Sequence, residues 1–224
     1  MEADTSDRAY VAITLAGRTR AGGAALRDAV ARVTGDGDRV LRTQSGVSVV
    51  REHMGDSDPR EDAERLRQVV GAAVADDLTA GVAGPRPGAS GAHFALLQAE
   101  HALAVGRGMH GHGRTIHFDE LGPFRFILNQ PVEDIRDFAE RLLGPIATDG
   151  ARSYLFDTLE SYMRNSGSVN AVARQMFLHR NTVRHRMRRI ATLTGADLDD
   201  PDTRLALWLA ILGRRAIAHM ELAS

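Results

Sequence analysis

The chain has 224 residues, 43% of them hydrophobic, and a formal net charge of -1; that length suits one large domain or two small ones. It has no cysteine, which excludes a disulfide framework and thiolate chemistry, and no lysine, so all 28 basic residues are arginine. No apolar run approaches the roughly 18 residues of a membrane span, and Met1-Glu2-Ala3-Asp4 lacks the basic and apolar regions of a secretory signal, so a cytoplasmic protein is expected.

The first half reads as an α/β domain. Tyr10 to Leu15 is a strand candidate, and Gly23 to Val33 carries a helical stripe through Leu26, Val30 and Val33. Two short strands, Arg39 to Thr43 and Val47 to Glu52, are joined by Gln44-Ser45-Gly46 in a hairpin. Pro59 to Asp76 reads as a helix with Leu66, Val69, Val70 and Val74 inward. Ala80 to Ala83 is a strand, and Gly84-Pro85-Arg86-Pro87-Gly88 a plain turn after it, or a loop that receives an anion. Gly91 to Gly106 is a helix with Phe94, Leu97, His101 and Val105 in phase, and Thr115 to Asp119 a last strand. This βαββαβαβ order predicts a mixed sheet with helices on one face. The glycines from Gly106 to Gly113 make a loose loop of His110-Gly111-His112, which is read as a mobile segment rather than a metal site.

Gln130-Pro131 and Gly144-Pro145 break the chain, and between them Ile135, Phe138, Leu142 and Leu143 mark the inner face of a linker helix. The expected division is therefore 1–128 for the α/β domain, 129–150 for the linker and 151–224 for a helical domain.

Basic charge is confined to one part of that last domain. From Ser161 to Ala196 there are seven arginines, two histidines and no acidic residue, while the rest of the chain is net acidic. Such segregation is the footprint of a nucleic-acid site. Ser168 is placed to cap a short helix, Val169 to Met176, whose stripe is Val169, Val172, Ala173 and Met176. After only Phe177, Leu178 and His179 a second helix begins, with Val183, Met187 and Ile190 on its inner side and Gly195 at its end. Helix, short turn, helix is the helix-turn-helix layout. At about 100° per residue from Val183, Asn181, His185 and Arg188 fall near the opposite side with Arg184 and Arg189 flanking them, Arg180 projects from the first turn, and Arg186, closer to the apolar edge, leans over the core or meets a phosphate. Arginine and asparagine donate to guanine and adenine edges in the major groove, and Ser168 and Thr182 suit phosphates. Phe177 stands where a glycine is frequent and is expected to plug the angle between the helices.

The run from Leu178 to Ile190, with Leu193-Thr194-Gly195 behind it, resembles the C-terminal signature of the purine-catabolism-regulator and sugar-diacid-regulator (PucR/CdaR) family of bacterial transcription regulators. Leu155 to Tyr162 and Leu198 to Leu205 resemble the same family, so the likeness covers about Tyr154 to Leu212. It implies an activator of catabolic genes with DNA contacts on Arg180, Asn181, Arg184, His185 and Arg188. The order of the first half resembles the degenerate diguanylate-cyclase-like module that precedes this helix-turn-helix in the family. An active cyclase carries Gly-Gly-Asp/Glu-Glu-Phe in its central hairpin; Thr43-Gln44-Ser45-Gly46-Val47-Ser48 supplies no carboxylate for Mg²⁺.

The fold expected is thus α+β, a cyclase-like α/β sandwich followed by an all-α DNA-binding domain. It is read as no enzyme, with no cofactor and no metal site. Its partners are double-stranded DNA and a second copy of itself, with an unidentified small-molecule effector left open and no membrane. The last helix, Pro201 to about Ala218, is apolar nearly all round; Trp208 belongs either to the domain core or to a dimer interface. The rival readings are a nucleotidyl cyclase and a basic adaptor for an acidic protein.

Overall fold

The computed structural model describes residues 8–18, 23–147 and 150–223; Met1 to Asp4, on which the expected lack of a signal rests, lie outside this range. The chain divides into two compact units, Met1–Arg125 with Ala218–Ser224, and Phe126–Ile217.

In the first unit β1 (Ala9–Ala16), α1 (Gly23–Val33), β2 (Arg39–Arg42), β3 (Val47–Glu52), α2 (Pro59–Val74), β4 (Thr79–Pro87), α3 (Gly91–His110) and β5 (Thr115–His117) follow in the order read from sequence. They build a mixed sheet of order β2-β3-β1-β4-β5. Only β4 and β5 run parallel. The helices cover both faces of the sheet, not one. Val11, Ile13 and Leu15 of the central strand pack with Leu26 and Val30 of α1 and Leu66 and Val70 of α2. Side chains alternate along a strand, and the intervening positions meet α3. Thr14 and Ser48 share a buried hydrogen bond of 2.9 Å on that side. A Cβ on Gly81, which alternates with the α2-facing Ala80 and Val82, would lie 2.2 Å from the Ala99 carbonyl oxygen of α3. A strand buried on both faces reads as an apolar run, and β1 is buried from Val11 to Ala16.

The inner helix faces differ from the expected stripes in one consistent way. Small residues take the closest contacts and larger ones turn outward. In α3 Ala95, Ala99, Ala102 and Leu103 join the expected His101 and Val105 in the buried face, while Phe94 is exposed. In α2 Ala63 and Gly71 join Leu66 and Val70, and Val69 is exposed; in α1 Ala29 replaces Val33. β4 does not stop at Ala83. It bends at Gly84 (φ +108°) and pairs Tyr10 with Arg86 and Ala9 with Pro87 across an irregularity in register. β5 pairs only with Ala80 to Val82, so the prolines sit where the other edge of β4 needs no ladder bond. Nor is Gly106 to His110 a loose segment. α3 continues to His110 because Gly106 and Gly108 leave room for the side chains of Ile116 and His219.

His101, in the middle of α3, is buried, and its Nδ1 has no hydrogen-bond partner among the described residues. Burial without compensation disfavours the imidazolium and pushes its pKa down from 6.5 to about 4. The unfolded chain therefore binds the proton first as pH falls. Stability is full above pH 6.5 and drains away as pH drops toward 4. The shift corresponds to a loss of about 3 kcal/mol across that window. His101→Leu is expected to flatten this part of the profile, measured as urea midpoint against pH.

A short helix, α4 (Phe124–Ile127), falls at the division between the units. The second unit is helical: α5 (Val132–Ala147), α6 (Ser153–Arg164), α7 (Val169–Gln175), α8 (Arg180–Thr194) and α9 (Pro201–Ala223), the last contributing up to Ile217. α5 shares this unit's core through Ala139, Leu143 and Ile146. Its inner face also includes Ile135, whereas Phe138 is exposed. Gly144-Pro145 does not end α5, which runs on to Ala147. Leu155, Leu159, Val172, Val183, Met187, Ile190, Leu207 and Ile211 complete the core. Glu160 ties α6 to α9: Arg164 Nε (3.1 Å) and Arg215 Nε (2.9 Å) both donate to its carboxylate. Burial alone would raise its pKa, but the two guanidinium groups outweigh this and hold it below the usual carboxylate range.

Among the described residues no helix is long and apolar enough to cross a membrane, and no group of three or more His, Cys, Asp or Glu is placed to hold a metal ion.

Candidate nucleic-acid interface

α7 and α8 begin on side-chain caps. Ser168 Oγ accepts from the Ala171 amide (3.3 Å), as its position predicts. His179 caps α8: its Nδ1 accepts from the Asn181 amide at 3.2 Å. That bond places the ring proton on Nε2, which is left to donate outward. Histidine is not a favoured cap, so cap preference gave no signal for it. α8 ends at Gly195 in the left-handed conformation (φ +69°).

α8 sorts its side chains as the apolar phase requires. Val183, Met187 and Ile190 are buried. Arg180, Asn181, Thr182, Arg184, His185, Arg188 and Arg189 are all exposed, as is Ser168. The seven arginines of the basic segment fall into two groups. Arg164 and Arg186 are structural. Arg164 pairs with Glu160 and lies over the Trp208 ring (5.4 Å). Arg186 Nη1 donates to Thr158 Oγ1 (3.1 Å), and its guanidinium stacks 4.8 Å from the Tyr154 ring centre. Of the two outcomes that its place at the apolar edge allows, Arg186 takes the inward one in the free chain. Arg174, Arg180, Arg188 and Arg189 are exposed, and their guanidinium groups have no partner among the described residues. Arg184 Nη1 donates to Asn181 Oδ1 (3.2 Å), which holds two long polar side chains side by side on the outer face. The described structure thus leaves a fan of unneutralised positive charge on one rigid helix.

The turn holds the one clear departure. Leu178 N donates to Ala173 O (2.9 Å) and Phe177 N to Arg174 O (3.3 Å), a closing pattern that puts one residue in the left-handed region. That residue is Phe177 (φ +54°), and its side chain is 96% exposed. The ring does not plug the angle between α7 and α8. Leu178, next in the chain, turns inward to the core instead.

This arrangement can be placed among known proteins. Residues 155–212 match the PucR C-terminal helix-turn-helix domain. The domain spans α6 to α8 and the first half of α9, close to the stretch on which the sequence resemblance rested. Parts of the chain are also similar to curated proteins. The purine catabolism regulatory protein of Bacillus subtilis is 33% identical over 39% of this chain and 17% of its own length. The carbohydrate diacid regulator of Escherichia coli is 37% identical over 32% of this chain and 18% of its own. A protein from the pkwA 5′ region of Thermomonospora curvata is 38% identical over 35% of this chain and 44% of its own. The matches span less than half the length of these relatives.

Proposed function

We propose that the chain is a sequence-specific DNA-binding transcription regulator, an activator of catabolic genes, that acts as a homodimer and reads the major groove with α8. The exposed fan of Arg180, Arg184, Arg188 and Arg189 beside Asn181 and His185 carries this reading. Guanidinium forks match guanine O6 and N7, and the Asn181 amide matches adenine. Arg189, Thr182 and Ser168 lie at the flanks and suit phosphate contacts. Relatives named as regulators of purine and diacid use support the catabolic assignment. A basic adaptor would also display arginines, but it has no use for a PucR-type helix-turn-helix.

The first unit then serves regulation, as a degenerate cyclase-like module. Its β2–β3 hairpin, Thr43 to Ser48, has no carboxylate for a catalytic metal. A cavity of about 1000 Å³ beside the hairpin, lined in part by Arg18 and Arg42, is where we place the effector. The test of the whole reading is selection of duplexes from random-sequence DNA, followed by titration at several salt concentrations. A defined motif should emerge, with log K falling linearly against log salt at a slope set by the phosphates neutralised. Equal binding of selected and random duplexes would overturn it.

A further inference from the structure

We infer that Phe177 is a further DNA-contacting residue, its ring packing on the apolar surface of the duplex (thymine methyl groups and deoxyribose) beside the point where α8 enters the groove. This rests on the DNA-binding reading above. Phe177 takes the left-handed position of the α7–α8 turn, where glycine is the unstrained choice. Its side chain is 96% exposed, the largest exposure among the large hydrophobic residues of the chain's described part. The free protein therefore gains neither backbone ease nor burial from a phenylalanine here. What the ring offers is realised only when something covers it.

The surroundings say what that is. Arg174 and Arg180 stand three residues to either side, both exposed, with guanidinium groups that meet no partner among the described residues. No acidic residue occurs from Ser161 to Ala196. An apolar ring framed by unpaired cations suits a partner that is polyanionic yet has apolar patches. Duplex DNA is such a partner, and phenylalanine is among the side chains that contact the thymine methyl. The ring also lies close in the chain to the proposed reading helix, since only Leu178 and His179 separate it from α8.

The test uses the full chain and the duplex recovered by selection. Phe177→Gly is expected to weaken binding by about 5- to 30-fold, the lower part of the range for one aromatic contact with nucleic acid. Its melting temperature should stay level or rise, because the strained position is relieved. The slope of log K against log salt should not change, since no cation is removed. Phe177→Trp should bind within about 3-fold of the parent, on the strength of aromatic contact. Parent affinity in Phe177→Gly would sink the inference, and so would a reduced salt slope, which means that α8 itself has moved. A change in sedimentation of the free variant would place the ring against a second copy instead and also overturn it. Failure of the parent chain to prefer any duplex is the distinct result that removes the DNA reading and this inference together.

Discussion

Alanine at both Arg184 and Arg188 is expected to lower affinity for the selected duplex by at least about 30-fold while leaving the melting temperature unchanged. Each bidentate contact to a base edge is worth about 1–3 kcal/mol. Both side chains are exposed, and surface substitutions of this kind change stability by no more than about 0.5 kcal/mol. The pair lies one turn apart on α8, and Arg184 also steadies Asn181 through its 3.2 Å hydrogen bond. The two effects should therefore be coupled rather than simply additive. Discrimination between selected and random duplexes should collapse further than total binding does, because phosphate contacts survive. Arg186→Ala gives the contrasting control. It removes a bond to Thr158 and a stack on Tyr154, so it should lower the melting temperature instead. Full affinity in the double variant, measured by anisotropy, would remove Arg184 and Arg188 from the reading face.

The outward face of α8 is legible because, beyond the first-turn Arg180, it depends on phase alone. Val183, Met187 and Ile190 fix the inner line, and every arginine then has a set angle, including the inward lean of Arg186. Phe177 was misread because its direction depends on the sign of one backbone angle, which an apolar pattern does not encode. The caps divide in the same way: Ser168 announces itself, while His179 does so only through geometry.

In the first unit the order of elements was readable from periodicity and turn residues. The faces were not. Hydrophobicity points large residues such as Phe94, Val69 and, in the second unit, Phe138 inward, yet all three are exposed. Where a helix backbone comes close to its neighbour, only small side chains fit, and a period count weights an alanine too lightly to see this. The prolines in β4 misled for a related reason. They mark a strand end in general, but not along an edge that no neighbour pairs with.

One such approach, of α3 to β4 at Gly81, also yields a large expected stability effect. Gly81→Ala should destabilise the first unit by about 3 kcal/mol or more, at the upper end of overpacking costs. The added methyl would sit 2.2 Å from Ala99 O and 2.4 Å from Leu103 N, both of them backbone atoms of α3. A flexible side chain could swing away from such a clash; a helix backbone must move as a body. That movement would open the face that buries Ala95, Ala99 and Leu103. With total stabilities of about 5–15 kcal/mol, a loss of this size is a large fraction, and it should lower the melting temperature of this unit by about 10 °C. Gly37→Ala supplies the comparison, since a Cβ there meets nothing within 4 Å. Calorimetry of the two variants separates the cases. Equal transitions would mean that α3 does not lie as tightly on β4 as the 2.2 Å approach requires.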